Sequence, residues 1–145
     1  MRICWLLNCW WAFGSSDGGE ADERDCLATY ELLGSMLAAT CDAAVRLQAA
    51  STLLSLLRCA GDDDLRVFAV AAPAVSTGLA AALGSCSSDE ALFWILATLR
   101  QVLRAPAPLH PSLPPVLEAL WARACVERHE LLKLELQGIA ALSGL

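Results

Sequence analysis

An all-α fold is what the sequence predicts, and three observations carry it. Ala and Leu dominate a chain that is 57% apolar, 18% charged and only 6% aromatic, and neither residue loses much rotamer freedom in a helix. Apolar residues recur three and four apart in six separate segments, while no segment alternates strictly as a strand does. Turn and capping residues punctuate the gaps between those segments. At 145 residues the chain is long enough to bury one substantial core.

Residues 1–13, "MRICWLLNCWWAF", form an apolar, aromatic N-terminal tail. Residues 14–22 are an acidic, Gly-rich linker, of a composition that cannot bury a core. The helical domain is expected over 23–145, as hairpins of about 23–60, 63–105 and 112–145. Its first helix runs from about Glu23 to Ala39, with Leu27, Tyr30, Leu33 and Leu37 on one face. The second is "DAAVRLQAASTLLSLL", Asp42 to Leu57, with Val45, Ala49, Leu53, Leu56 and Leu57 inward. Gly61 suits the C′ position after it, and Asp62, Asp63 and Asp64 suit the positive start of a third helix. That helix covers about Leu65 to Leu83, bent or split at Pro73. Ser87 and Glu90 have capping-box spacing ahead of the fourth, Ala91 to Arg104, whose apolar residues are Leu92, Ile95, Leu96, Leu99, Val102 and Leu103. After the proline-rich "APAPLHPSLPP", Pro114 and Pro115 fit the first turn of a fifth helix reaching about Glu127. The sixth, Leu131 to Ser143, places Leu132, Leu136, Ile139 and Leu142 inward.

The even-numbered segments superpose when shifted by 46 and then by 40 residues: Leu53 meets Leu99 and Ile139, Leu56 meets Val102 and Leu142, and Ala50 meets Leu96 and Leu136. Helical hairpins recurring at about 40–47 residues stack neighbour on neighbour, because no single hairpin can bury its own apolar face. "DAAVRLQAASTLLSL" from Asp42 resembles the second half of a HEAT repeat, and "KLELQGIAALSGL" from Lys133 is similar to the last helix of an armadillo repeat. The resemblance covers about residues 22–145 and implies an α-solenoid of about three hairpins, HEAT/armadillo-like. A closed six-helix bundle is the alternative. The resemblance also implies protein binding along a surface built from the last helix of each repeat. The Trp-x-x-x-Asn array of the importin-α branch is absent. Trp94 is followed by Thr98, and the corresponding pairs are Gln48/Thr52 and Leu134/Gly138.

A net charge of −6, with nine scattered arginines and one lysine, argues against nucleic acid and against an anionic membrane surface. Seven cysteines at irregular spacing, with no CxxC pair, read as reduced thiols, most of them small buried hydrophobes. His110 lies between prolines and reads as a loop residue. Cys125, Glu127, His129 and Glu130 could begin a metal site, but too few ligands accompany them and "ERHE" is not HExxH. No nucleophile motif and no phosphate loop appear. The expectation is a non-enzyme with no cofactor and no metal.

Partner-binding candidates are Arg46, Gln48, Trp94, Arg100, Gln101, Lys133 and Gln137, the polar and aromatic positions of the even-numbered helices; Trp121 is a second exposed aromatic. The expected partner is another protein. The last helix carries no polar cap, and a mean hydropathy of +0.51 is high. Both predict self-association through that helix or membership of a longer array. The expected location is cytoplasmic or nuclear. The competing class is a membrane-associated protein, anchored or secreted through residues 1–13, or anchored through the uncharged stretch Val67 to Ser88.

Overall fold

The computed structural model describes residues 20–38, 42–105 and 111–144, and all six regular elements among them are helices. The expected tail 1–13, linker residues 14–19, Cys41 and His110 lie outside the described residues.

Helix α1 spans Glu20–Ala38. It starts three residues earlier than the spacing predicts, at residue 20 of the expected linker. Helix α2, Ala43–Cys59, is capped by Asp42, whose side chain accepts from the Ala44 N–H at 2.8 Å. Helix α3, Asp62–Ser85, is one continuous helix rather than one split at Pro73. Pro73 is exposed, so water can serve the carbonyl its missing N–H leaves free, and the turn after it is tied by Thr77 Oγ1 donating to the Pro73 carbonyl at 2.8 Å. Gly61 follows the end of α2 without adopting the left-handed conformation expected at C′: its φ is −81°, and it caps α3, its N–H donating to Asp64 Oδ2 at 3.2 Å.

Helix α4, Asp89–Val102, ends two residues short of Arg104 and is capped by Ser88, one residue beyond the expected Ser87. Helix α5, Leu113–Val126, begins with its prolines in the first turn. Helix α6, Glu130–Ser143, is capped by His129, whose Nδ1 accepts from the Leu132 N–H at 3.4 Å. Of its expected inner stripe, Leu132, Leu136 and Ile139 are buried, but Leu142 is 44% exposed among the described residues. The thiols also depart from expectation. Of the four described, none of them in a disulfide, only Cys26 is buried; Cys59 and Cys125 are exposed and Cys86 is half-buried.

The helices pack in a regular order. Within hairpins, α1 packs on α2, α3 on α4 and α5 on α6; between hairpins, α3 packs on α1 and α5, and α4 on α2 and α6. The α1–α3 pair is the most extensive. Tyr30 of α1 meets Phe68 of α3 edge to face, with ring centroids 5.0 Å apart. Further along, a methyl group built on Gly34 would stand 3.2 Å from the Ala74 carbonyl and Val75 Cα, and one on Gly78 would overlap the Gly34 carbonyl oxygen. The two backbones touch there, and contacts that advance together along both helices make them parallel. Around this seam the core runs through Leu33, Leu37, Val75 and Leu79, on to Leu53, Leu96 and Leu99, and then to Leu136 and Ile139.

Helix α3 is also long and apolar enough to cross a membrane by length and composition. An 18-residue window has a mean hydropathy of 1.8, and 56% of it is buried within the fold.

Two predictions follow from the α1–α3 seam. Gly78→Ala should lower stability by about 1–2 kcal/mol, since overpacking against a backbone carbonyl outweighs the roughly 1 kcal/mol that Ala gains in a helix. Gly84→Ala, where nothing lies within 4 Å of the added methyl, should gain up to about 1 kcal/mol. Urea unfolding of the two variants checks the opposite signs. The Tyr30 hydroxyl is held above the usual phenol range, first by burial, then by Cys26 and Asp64. A raised folded pKa leaves this contribution intact below about pH 10 and removes it as pH climbs further. Tyr30→Phe should therefore flatten the alkaline limb of a stability–pH curve.

Candidate partner-binding site

The even-numbered helices lie side by side because small or polar groups fill one step of their shared register. Thr52, Thr98 and Gly138 occupy that step, by the shifts of 46 and 40 residues. The Thr98 hydroxyl, fully buried, lies 3.0 Å from the Ala50 carbonyl of α2 and 2.8 Å from the Trp94 carbonyl of its own helix. It is the polar tie between α2 and α4. Thr52 is equally buried, yet its hydroxyl has no hydrogen-bond partner among the described residues. At Gly138 the missing side chain admits Arg100: a Cβ there would stand 2.9 Å from the guanidinium Nε and Cζ. The guanidinium so seated pairs with Glu135 of α6, Nη1 to Oε2, at 3.6 Å. Its Nε is shielded from water and makes no hydrogen bond, and neither does Glu135 Oε2.

Around this pair opens a cleft of about 310 Å³ lined by Arg58, Ala97, Arg100, Gln101, Arg104 and Glu135. Three guanidiniums thus face one carboxylate in a chain of net charge −6. Arg58 and Arg104 are exposed and form no ion pair among the described residues, where the paired acids engage other bases.

The seven candidates do not form one site. Arg100 and Gln101 line the cleft. Arg46 turns toward the end of α3, where its Nη1 donates to Ser85 Oγ, and Gln48 is half-buried in α2. Trp94 is 36% exposed, its ring edge-on to Phe93. Lys133 pairs with Glu130 at 2.9 Å, and Gln137 is exposed. Arg58 and Arg104 were not among the candidates, although the signal for them is in the sequence. They are 46 residues apart, the shift that superposes the second and fourth segments in sequence.

Two other features deserve description. Arg123 bridges Asp89 at 2.6 Å and Glu127 at 3.1 Å, and His129 Nε2 stands 3.5 Å from Asp89. The guanidinium pKa is raised, chiefly by the hydrogen bond to Glu127. This cluster ties the start of α4 to the α5–α6 turn, which passes through Arg128 at φ +54°. Among the described residues, no three His, Cys, Asp or Glu side chains are grouped to hold a metal ion. The second feature is an apolar groove of about 310 Å³ between α5 and α6, walled by Leu117, Trp121, Leu136 and Ile139; Trp121 is 39% exposed. No protein-family model, curated protein or solved structure matches the chain.

The two fully buried threonines, Thr52 and Thr98, predict opposite responses to the same change. Thr98→Val removes the α2–α4 tie and should cost about 1 kcal/mol. Thr52→Val replaces a buried, unpartnered hydroxyl by a methyl and should gain on the order of 1 kcal/mol. Thermal unfolding of both variants checks the pair.

Proposed function

We propose that the chain is a non-catalytic protein–protein interaction or scaffolding module of the armadillo-like helical type: an α-solenoid of three stacked hairpins that binds another protein along its even-numbered helices. The observation that carries this reading is the packing order. Each helix meets its hairpin partner and its equivalents in adjacent hairpins, and the parallel run of α1 beside α3 suits a stacked repeat. A closed six-helix bundle would instead pack α1 substantially against α6, a pair that is not among the substantial contacts. The exposed Trp94 and the arginine cleft give the even-numbered face large contact area and fixed charge, the combination that interface hot spots use.

A second reading rests on α3, whose apolar window has the length and hydropathy of a membrane span. It makes the chain a membrane-associated helical protein, anchored by this helix or by residues 1–13.

Affinity purification of the tagged full chain from cells, in reducing buffer, with gel filtration and a carbonate wash of the membrane fraction, tests both. A stoichiometric protein partner lost on Trp94→Ala with Arg100→Ala supports the scaffold. Recovery as a lone soluble monomer overturns it. Recovery only in detergent, resistant to carbonate, moves the assignment to the membrane reading.

A further inference from the structure

We infer that the arginine cleft at the C-terminal ends of α2 and α4 receives an acidic segment of a partner protein, reading its side-chain carboxylates with Arg58, Arg100 and Arg104. The inference rests on the scaffold reading above and specifies the chemistry of the partner.

Placement is the first support. Arg58 lies in the last turn of α2, and Arg104, 46 residues on in sequence, lies two residues past the end of α4, the helix that packs on α2. Arg100 lies in the last turn of α4 itself, four residues before Arg104. All three reach one cleft. Along an extended peptide, side chains on one side recur every ~6.6–7 Å. That is a span two flexible arginines can match, each offering a planar fork suited to carboxylate oxygens.

Charge is the second support. Gathering three guanidiniums is unfavourable without counter-charge, and Glu135 supplies only one carboxylate, engaged with Arg100. A last-turn arginine does favour the negative end of its own helix, which accounts for Arg58 and Arg100 singly. It does not account for their convergence with Arg104, nor for the Arg100 Nε held desolvated without an acceptor among the described residues. An acidic segment would relieve the repulsion and supply acceptors.

Location decides between anions. Compact phosphate dianions favour helix N-termini, where free N–H groups converge. This cleft lies at the C-terminal ends of α2 and α4, whose carbonyls carry partial negative charge. A row of single-charged carboxylates, held out by flexible side chains on both sides of the contact, avoids those carbonyls better than a compact phosphate does. Nucleic acid is opposed by the chain's net charge of −6.

Fluorescence anisotropy of a labelled hexaglutamate peptide, titrated with the full chain, tests the cleft. Arg58→Gln and Arg104→Gln should each weaken binding about tenfold, with circular dichroism unchanged because both side chains are exposed. Glu135→Gln should tighten binding several-fold by freeing Arg100, an increase that misfolding would not produce. Equal affinity in wild type and in the arginine variants overturns the inference. Binding to phosphatidylserine vesicles without binding of hexaglutamate also overturns it, assigning the cleft to lipid. A cellular partner retained in full by the Arg58→Gln, Arg104→Gln double variant overturns the inference and leaves the scaffold standing. Hexaglutamate binding that depends on the arginines, with no partner captured from cells, overturns the scaffold reading alone.

Discussion

The backbones of α1 and α3 meet at Gly34 and Gly78, and the rest of the fold is arranged around that contact. A side chain at either position would push the two helices apart. Separation there would open the seam through Leu33, Leu37, Val75 and Leu79, all fully buried. Because α3 also packs on α4 and α5, its placement against α1 sets where the second and third hairpins stand. The even-numbered helices take their spacing from this frame. Close packing in a protein interior transmits such a displacement rather than absorbing it. A frame of glycine and alanine permits the approach but supplies little specificity of its own. That comes from the larger groups beside it, above all Tyr30 edge-on to Phe68.

Much of the fold was legible because helical periodicity is written in residue type. All six helices lie where apolar spacing places them, and two register columns, Leu53/Leu99/Ile139 and Ala50/Leu96/Leu136, are buried throughout. The third column fails at Leu142, since burial depends on what lies beyond a helix and not on its own pattern. Helix boundaries moved by one to three residues wherever neighbouring residues compete as caps, as Ser87 and Ser88 do. The continuity of α3 through Pro73 was not legible, because it depends on that proline facing water. The site was less readable than the fold. A search for polar residues on the even-numbered helices finds Arg100 and Gln101, but it cannot tell that Arg46 bends away to Ser85. Arg58 and Arg104 were missed because they stand at helix ends, where a basic residue already has a local reason to be.

Electrostatics and packing are coupled in the even-numbered layer. The same register step that lets Thr98 bond to Ala50 lets Gly138 seat the Arg100 guanidinium. A buried guanidinium edge needs either a carboxylate or a partner molecule to be tolerable, and Glu135 supplies that compensation only in part. The cleft therefore joins a structural requirement, holding α4 beside α6, to a surface of concentrated positive charge. The groove between α5 and α6 is mainly apolar, with Glu118 as the one charged residue in its lining and no arginine, and the two surfaces would select different kinds of contact.

The order in which the helices pack has a kinetic consequence. Substantial contacts join only helices adjacent in the chain or separated by one other, so closing any loop the core requires engages about one hairpin's length of sequence. Loop-closure entropy is then modest, and low contact order goes with fast folding. Structure can start at the α1–α3 seam and spread to the helices packed on it, and α1 need never meet α6 for folding to begin.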